Sequence, residues 1–285
     1  MKPLYKRKFS QGMAFTLFRG ASYINVLVLA VFIGFIAING ISAISWEFLT
    51  QMPRESMTEG GILPCILGTI YISLGAILVA FPLGVGTAIY LNEFAGEGRW
   101  TRILRMGIIN LAGVPSVVYG LFGLGFFVIL LGMGVSLLAG ALTLGAFILP
   151  LIIGSAEESL RSIPQSYREA SLALGATKWQ TIYKMVLPAA LPGMLTGFIL
   201  GVSRAAGETA PIMFTAAVYY TGKLPSSIFD EIMVMPYHIY VLATAGTSID
   251  KTRPLQYGTA LVLMFLVLGL NLAAIIIRNR LQKKL

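Results

Sequence analysis

The run LPGMLTGFILGVSRAAGETAPIMFTAAVY, residues 191–219, is apolar apart from one cation and one anion, Arg204 and Glu208. A helix needs about 20 apolar residues to cross ~30 Å of hydrocarbon, so the run predicts a membrane span with both charges near its middle. Gly193, Gly197, Gly201, Ala205 and Thr209 recur at every fourth position. That is a stripe of small residues along one side of a helix, and such stripes let helix backbones approach closely. At about 100° per residue, Arg204 lies about 60° from Gly201, and Glu208 follows one turn later on the same face. Both charges border the close-packed stripe. They are expected to face protein or water, because each costs about 2.5–3.5 kcal/mol at the centre of a lipid-facing helix.

Five further stretches have the same character: 21–44, 62–91, 106–131, 135–154 and 255–277. The chain of 285 residues is 56% hydrophobic and 12% charged, against about a quarter charged in soluble domains. In lipid only helices and closed barrels satisfy their own backbone hydrogen bonds, and the residue alternation of barrel strands is missing. The fold class is therefore an all-α integral membrane protein with a bundle of six helices. The expected organisation is a cytoplasmic N-terminal segment, 1–20, and one transmembrane domain, 21–285, with a cytoplasmic loop at 155–190. The basic start (Lys2, Lys6, Arg7, Lys8) is like that of a signal peptide, but the apolar stretch after it is longer than such peptides carry, which predicts an uncleaved first helix. Residues 228–245, with Asp230, Glu231, Pro236 and His238, read as an external loop carrying an interfacial helix.

Charge distribution sets the orientation. Of 21 Lys and Arg residues, Arg204 is inside a span and Arg54, Lys223, Lys251 and Arg253 fall in one set of loops, leaving sixteen for the other set and the two termini. Basic residues gather on the cytoplasmic side, so both termini are expected there. Topology thus accounts for the net charge of +9, and no basic-aromatic patch points to nucleic acid. Cys65 is the sole cysteine and lies in a span, where it reads as packing. His238 is the sole histidine, so no metal cluster is expected. A phosphate-cradling Gly-x-x-x-x-Gly-Lys-[Ser/Thr] loop is missing, as are His-Glu-x-x-His and Gly-x-Ser-x-Gly. Gly222-Lys223 lacks the upstream glycine. The chain is expected to bind no cofactor of its own and to hydrolyse no ATP.

For Arg204 and Glu208 three readings stand. They could form a structural i,i+4 pair, although Arg before Glu is the weaker order and a buried pair often repays little of its desolvation. They could relay a proton. Or they could line an anion path together with Thr209, since arginine offers a planar fork of donors that suits oxyanions. A carboxylate beside that fork could accept a hydrogen bond from a protonated oxyanion, or hold the arginine when no anion is present.

The loop SAEESLRSIPQSYREASLALGATKWQTIYKMVLPAALPG, residues 155–193, predicts two short helices. Pro164 suits a helix start and Gly175 a left-handed cap. Thr177 and Gln180 have capping-box spacing, and Pro188 is expected to end the second helix. Tyr167, Ala170 and Leu174 line one side of the first helix, with Arg168 and Glu169 beside them. Such a helix could dock into another protein's groove or lie on lipid headgroups.

Glu169-Ala170-Ser171, Gly175 and Met185-Val186-Leu187-Pro188 resemble the E-A-A, three residues, G, nine residues, I-x-L-P loop of bacterial ABC importer permeases. Ser171 and Met185 depart from that pattern conservatively. The stretch Arg204 to Pro211 is similar to the R-A-x-G-E-T-A-P segment of phosphate-specific permeases of the PstA type, and 61–72 and 82–93 look like that group's second span. The resemblance covers roughly 60–280. It implies a six-helix type I ABC importer permease bundle in a bacterial or archaeal cytoplasmic membrane, and a coupling helix in which Tyr167, Arg168, Glu169, Ala170 and Gly175 meet an ATPase. It also implies the partners: a second phosphate permease subunit, two copies of a cytoplasmic ATPase that carries the ATP, an extracytoplasmic phosphate-binding protein, and phosphate itself. The nearest rivals are a permease for sulfate, molybdate or phosphonate, and a proton-coupled anion carrier.

Overall fold

The computed structural model describes residues 4–57, 59–96, 98–245 and 249–282, and over these the chain is helical nearly throughout. Residues 1–3 of the expected N-terminal segment, and Lys283 and Lys284 of the basic C-terminus, lie outside the described residues. Helix α1, Leu4–Gly40, takes in most of the segment expected to precede the first span. It stands largely clear of the rest of the described chain and touches it at its end. There the Gly40 backbone lies so close to Tyr257 that a Cβ on Gly40 would come within 2.6 Å of the Tyr257 carbonyl oxygen. Phe35 meets the Tyr257 ring edge-on at 5.6 Å.

A short helix α2, Trp46–Thr50, follows, capped by the Ser45 hydroxyl. Strands β1, Pro53–Arg54, and β2, Glu59–Gly60, then form a small antiparallel hairpin. Helix α3, Leu63–Ile89, runs on into a π-helical turn at Tyr90–Phe94. The expected third span is not one helix. Helix α4, Arg99–Ala112, and helix α5, Ser116–Gly123, meet at 102°. Pro115 removes a donor and restricts Val114 before it, which stops α4 there. A π-helical stretch, Leu124–Leu130, lengthens α5. Helix α6, Leu137–Arg161, begins at a Ser136 cap and continues past the expected end at 154.

Helix α7, Gln165–Ala173, and helix α8, Lys178–Thr181, occupy the loop where two short helices were expected. Both cap predictions hold: Gly175 has φ +84°, and Thr177 and Gln180 make a complete capping box. Pro188 does not end the second helix. A π-helical turn at Ile182–Val186 carries the chain into helix α9, Leu187–Gly207, and this wider turn precedes Pro188, which has no N–H to bond back to it.

Helix α10, Ala210–Met213, helix α11, Met235–Thr244, and helix α12, Ile249–Gln282, complete the chain. Among the described residues, five helices are long and apolar enough to cross a membrane alone, and the bent α4–α5 pair makes a sixth. Of the segment expected as an external loop with an interfacial helix, 228–234 is loop, with Ile228, Phe229 and Glu231 exposed, and the helix α11 packs into the bundle. Met235, Pro236, His238, Val241 and Leu242 of α11 are buried; the Met235 amide donates to the Thr69 hydroxyl of α3 at 2.9 Å. His238 lies 3.3 Å from the Thr259 hydroxyl of α12.

The core lies where α3, α6 and α9 meet, with Ile72, Ala76, Leu144, Ile148, Ile152, Val202 and Ala205 buried together. One end of the bundle bears the hairpin; the opposite, basic end bears α7 and α8. At the hairpin end, Asp230 anchors a turn over the start of α6. Its backbone carbonyl accepts the Leu137 amide at 2.8 Å. Donors from Ser226, and then the Ser227 amide, hold its carboxyl below the usual carboxylate range.

Candidate functional site

Helix α9 stops partway along the bundle, beside α5 and α6. Its last residue is Gly207, and Glu208 turns to extended backbone at φ −81°, ψ 138°. Pro211 explains the stop: it stands four residues after Gly207, has no N–H for the Gly207 carbonyl, and its ring would strike that carbonyl in a continuing helix. The expected span 191–219 is therefore a broken one. The small-residue stripe holds as far as Ala205, which is 1% exposed. At Gly197 a Cβ would lie 2.7 Å from Ser155 of α6, and at Gly201 one would lie 3.0 Å from Ile77 of α3; Gly193 abuts Ser159. Thr209 falls after the break and does not continue the stripe.

Arg204 occupies the last turn of α9, where the unpaired carbonyls of a helix end favour a cation. Its guanidinium carbon sits 4.4 Å from the centre of the Phe147 ring, a cation–π distance. Phe147 packs edge-on against Tyr119 of α5 at 5.3 Å, and the Tyr119 hydroxyl donates to the Leu111 carbonyl at 2.9 Å. Phe147 is ten residues into α6, about 15 Å along it, so Arg204 stands at mid-height. Glu208 is near but not bonded: its Oε1 is 3.9 Å from the Arg204 Nε, with the two side chains 23% and 43% exposed. Among the described residues the guanidinium makes no hydrogen bond, so its donors remain open. Gly120 of α5 backs the break, where a Cβ would come within 2.8 Å of the Ala210 carbonyl oxygen. Non-helical backbone at membrane depth is tolerated where protein covers it or water reaches it, and α5 supplies the cover.

The second cluster is at the basic end. Tyr167, Glu169, Ala170 and Gly175 are exposed on and after α7, and Leu174 is 90% exposed. Arg168, expected beside them on a docking face, turns inward. Its Nη2 donates to Glu93 Oε1 at 2.7 Å and its Nε to Oε2 at 3.3 Å. Its remaining bonds go to the carbonyls of Ile163 and Leu160 at 2.9 and 3.1 Å. The two side chains are 13% and 6% exposed.

Residues 80–285 match the family described as binding-protein-dependent transport system inner membrane component. The chain belongs to that family. The permease is 33% identical to the probable ABC transporter permease protein YqgI of Bacillus subtilis (strain 168), over 98% of each chain. It is 34% identical to the phosphate transport system permease protein PstA 1 of Mycobacterium tuberculosis (strain ATCC 25618 / H37Rv), over 97% of this chain and 90% of that one. Its fold is that of a chain of the inward-facing MetNI methionine ABC transporter, with a TM-score of 0.65 at 18% identity, over 77% of this chain and 95% of that one. A chain of a bacterial ABC transporter involved in alginate import gives 0.62 at 15% identity, over 94% and 98%. The bundle of the permease is thus the type I ABC importer fold.

Sequence reading singled out Arg204, Glu208 and the loop helix α7 of the permease but missed four residues that shape these two clusters. Pro211 carried a readable signal, its spacing of four from Gly207. Phe147, Tyr119 and Glu93 carried none. Each earns its place through a residue far away in the chain, as with Glu93 and Arg168, 75 positions apart.

Proposed function

We propose that the permease is one of two different membrane subunits of an ATP-driven phosphate importer, with both termini in the cytoplasm and Arg204 on the anion path. The observation that carries this reading is the open guanidinium at the mid-height break of α9. It is held from behind by the Phe147 ring, and no carboxylate occupies its donors, since Glu208 stays at 3.9 Å. A cation kept in place without being neutralised suits a mobile anion better than a static ion pair does. The relatives named as phosphate transport permeases support phosphate as that anion. An external binding protein would deliver it, and two copies of a partner ATPase, docked on α7, would supply the work.

On this reading ATP-driven closure of the ATPase pair moves the coupling helices, and the two membrane halves rock between inward-facing and outward-facing states. Arg204 draws the oxyanion to the midpoint. Glu208 accepts a hydrogen bond from the hydroxyl of hydrogen phosphate, or steadies Arg204 between transport events; Thr209 adds a hydroxyl beside them. The test is Arg204→Gln in the assembled transporter. Losing a charged hydrogen-bonding partner removes about 1.5–3 kcal/mol, so phosphate uptake is expected to fall at least about tenfold while the ATPase still co-purifies. Uptake unchanged in that variant would take Arg204 off the path.

A further inference from the structure

The π-helical turn at the inner end of α3, Tyr90–Phe94, is gripped by three other elements at once. From α4, Arg105 donates to the Leu91 carbonyl at 3.0 Å; it also pairs with Glu157 of α6 at 2.9 Å. From α7, Arg168 holds both carboxylate oxygens of Glu93. From α8, the Lys178 ammonium lies 5.0 Å from the centre of the Phe94 ring. Asn92 donates to Glu93 from within the turn at 2.8 Å. Such π turns inside helices are often found at functional sites.

The Glu93–Arg168 pair differs in kind from Arg204–Glu208. It is bidentate and nearly buried, and two further donors of Arg168 go to the carbonyls of Leu160 and Ile163. Removing one partner of such a pair strands a buried charge, so the contact resists being opened. A push on α7 is therefore passed to α3 rather than absorbed between them. Along α3 the packing is close: a Cβ on Gly84 would lie 2.7 Å from Ile152 of α6. Further along, Ile77 presses on Gly201 of α9, one turn before Arg204.

We infer that Glu93 and Arg168 are positioning residues that lock the coupling helix to α3, so that movement of the ATPase reaches the helix break. This rests on the reading of α7 as the helix that docks the ATPase. The test uses the complete transporter in proteoliposomes with its binding protein, reading ATP hydrolysis and phosphate uptake on the same samples. Glu93→Gln and Arg168→Lys are expected to keep the ATPase bound and hydrolysing, while phosphate moved per ATP falls about tenfold. Glu93→Asp, which keeps a carboxylate for Arg168, is expected to retain most of the ratio that Glu93→Gln loses.

A wild-type ratio in Glu93→Gln overturns the inference. So does a parallel loss of hydrolysis and uptake that Glu93→Asp shares with Glu93→Gln, because that pattern belongs to simple folding or docking. If the unaltered chain carries phosphate with no ATPase present, the transport reading itself fails, and that outcome is separate from both.

Discussion

Two arginine–glutamate pairs illustrate how burial and geometry divide labour between the same two residue types. At Arg168–Glu93 two hydrogen bonds and 13% and 6% exposure make a fixed joint. At Arg204–Glu208 a gap of 3.9 Å and 43% and 23% exposure leave both groups available. What positions Arg204 is an aromatic face, worth about 0.5–1 kcal/mol at an exposed site and about 2 when desolvated. Phe147→Leu keeps an apolar side chain of similar bulk while removing that face and the edge contact with Tyr119, itself worth about 0.5–1.5 kcal/mol. Thermal unfolding in detergent is expected to show destabilisation of about 1–2 kcal/mol, and phosphate uptake by the folded fraction is expected to drop several-fold. Uptake per folded molecule equal to wild type would show that the ring does not aim the guanidinium.

Among the elements, the broken helices decide where chemistry can occur. Helix α9 halts because Pro211 cannot serve the Gly207 carbonyl, and α5 is a separate helix because Pro115 parts it from α4. Pro211→Ala restores both the donor and the space. In that variant the amide at position 211 can bond to Gly207, so hydrogen exchange across 205–215 is expected to slow as α9 lengthens, and uptake to fall as Glu208 swings onto the helix. Exchange that stays fast would mean that the surrounding packing, not the proline, sets the break. The caps of the 155–193 loop were legible because their signals are local: Gly175 supplies the left-handed cap, and Thr177 and Gln180 close a capping box within one turn. The spans were legible from their apolar length. Their breaks were not read, because each lies within a stretch apolar enough as a whole to be taken as one span, and only the proline spacing marks the point of the break. The inward turn of Arg168 lay beyond local reading altogether, since its partner belongs to another helix. The burial of α11 was hidden in the same way: His238 and Asp230 make the segment look external, whereas its apolar side faces α3 and α12.

For the molecule as a whole, the basic residues and the helix order make a single claim about direction. The hairpin, the turn held by Asp230 and the start of α6 share one end, and α7 and α8 share the other with the inner ends of α3 and α9. If the sixteen-to-four division of basic residues outside the spans follows the cytoplasmic preference, α7 faces the compartment that holds ATP. A single introduced cysteine reads this directly. The native thiol is silent, since Cys65 is 0% exposed, whereas Leu174, at 90% exposed, accepts a cysteine without disturbing packing. In Leu174→Cys, a membrane-impermeant maleimide is expected to label inverted vesicles and to leave right-side-out vesicles unlabelled, with Ile228→Cys at the hairpin end giving the reverse. Adding the partner ATPase to the inverted vesicles should then protect Leu174→Cys, because the coupling helix would be covered. Labelling of Leu174→Cys only from the external face would invert the topology and remove any route by which a nucleotide-driven subunit could reach α7.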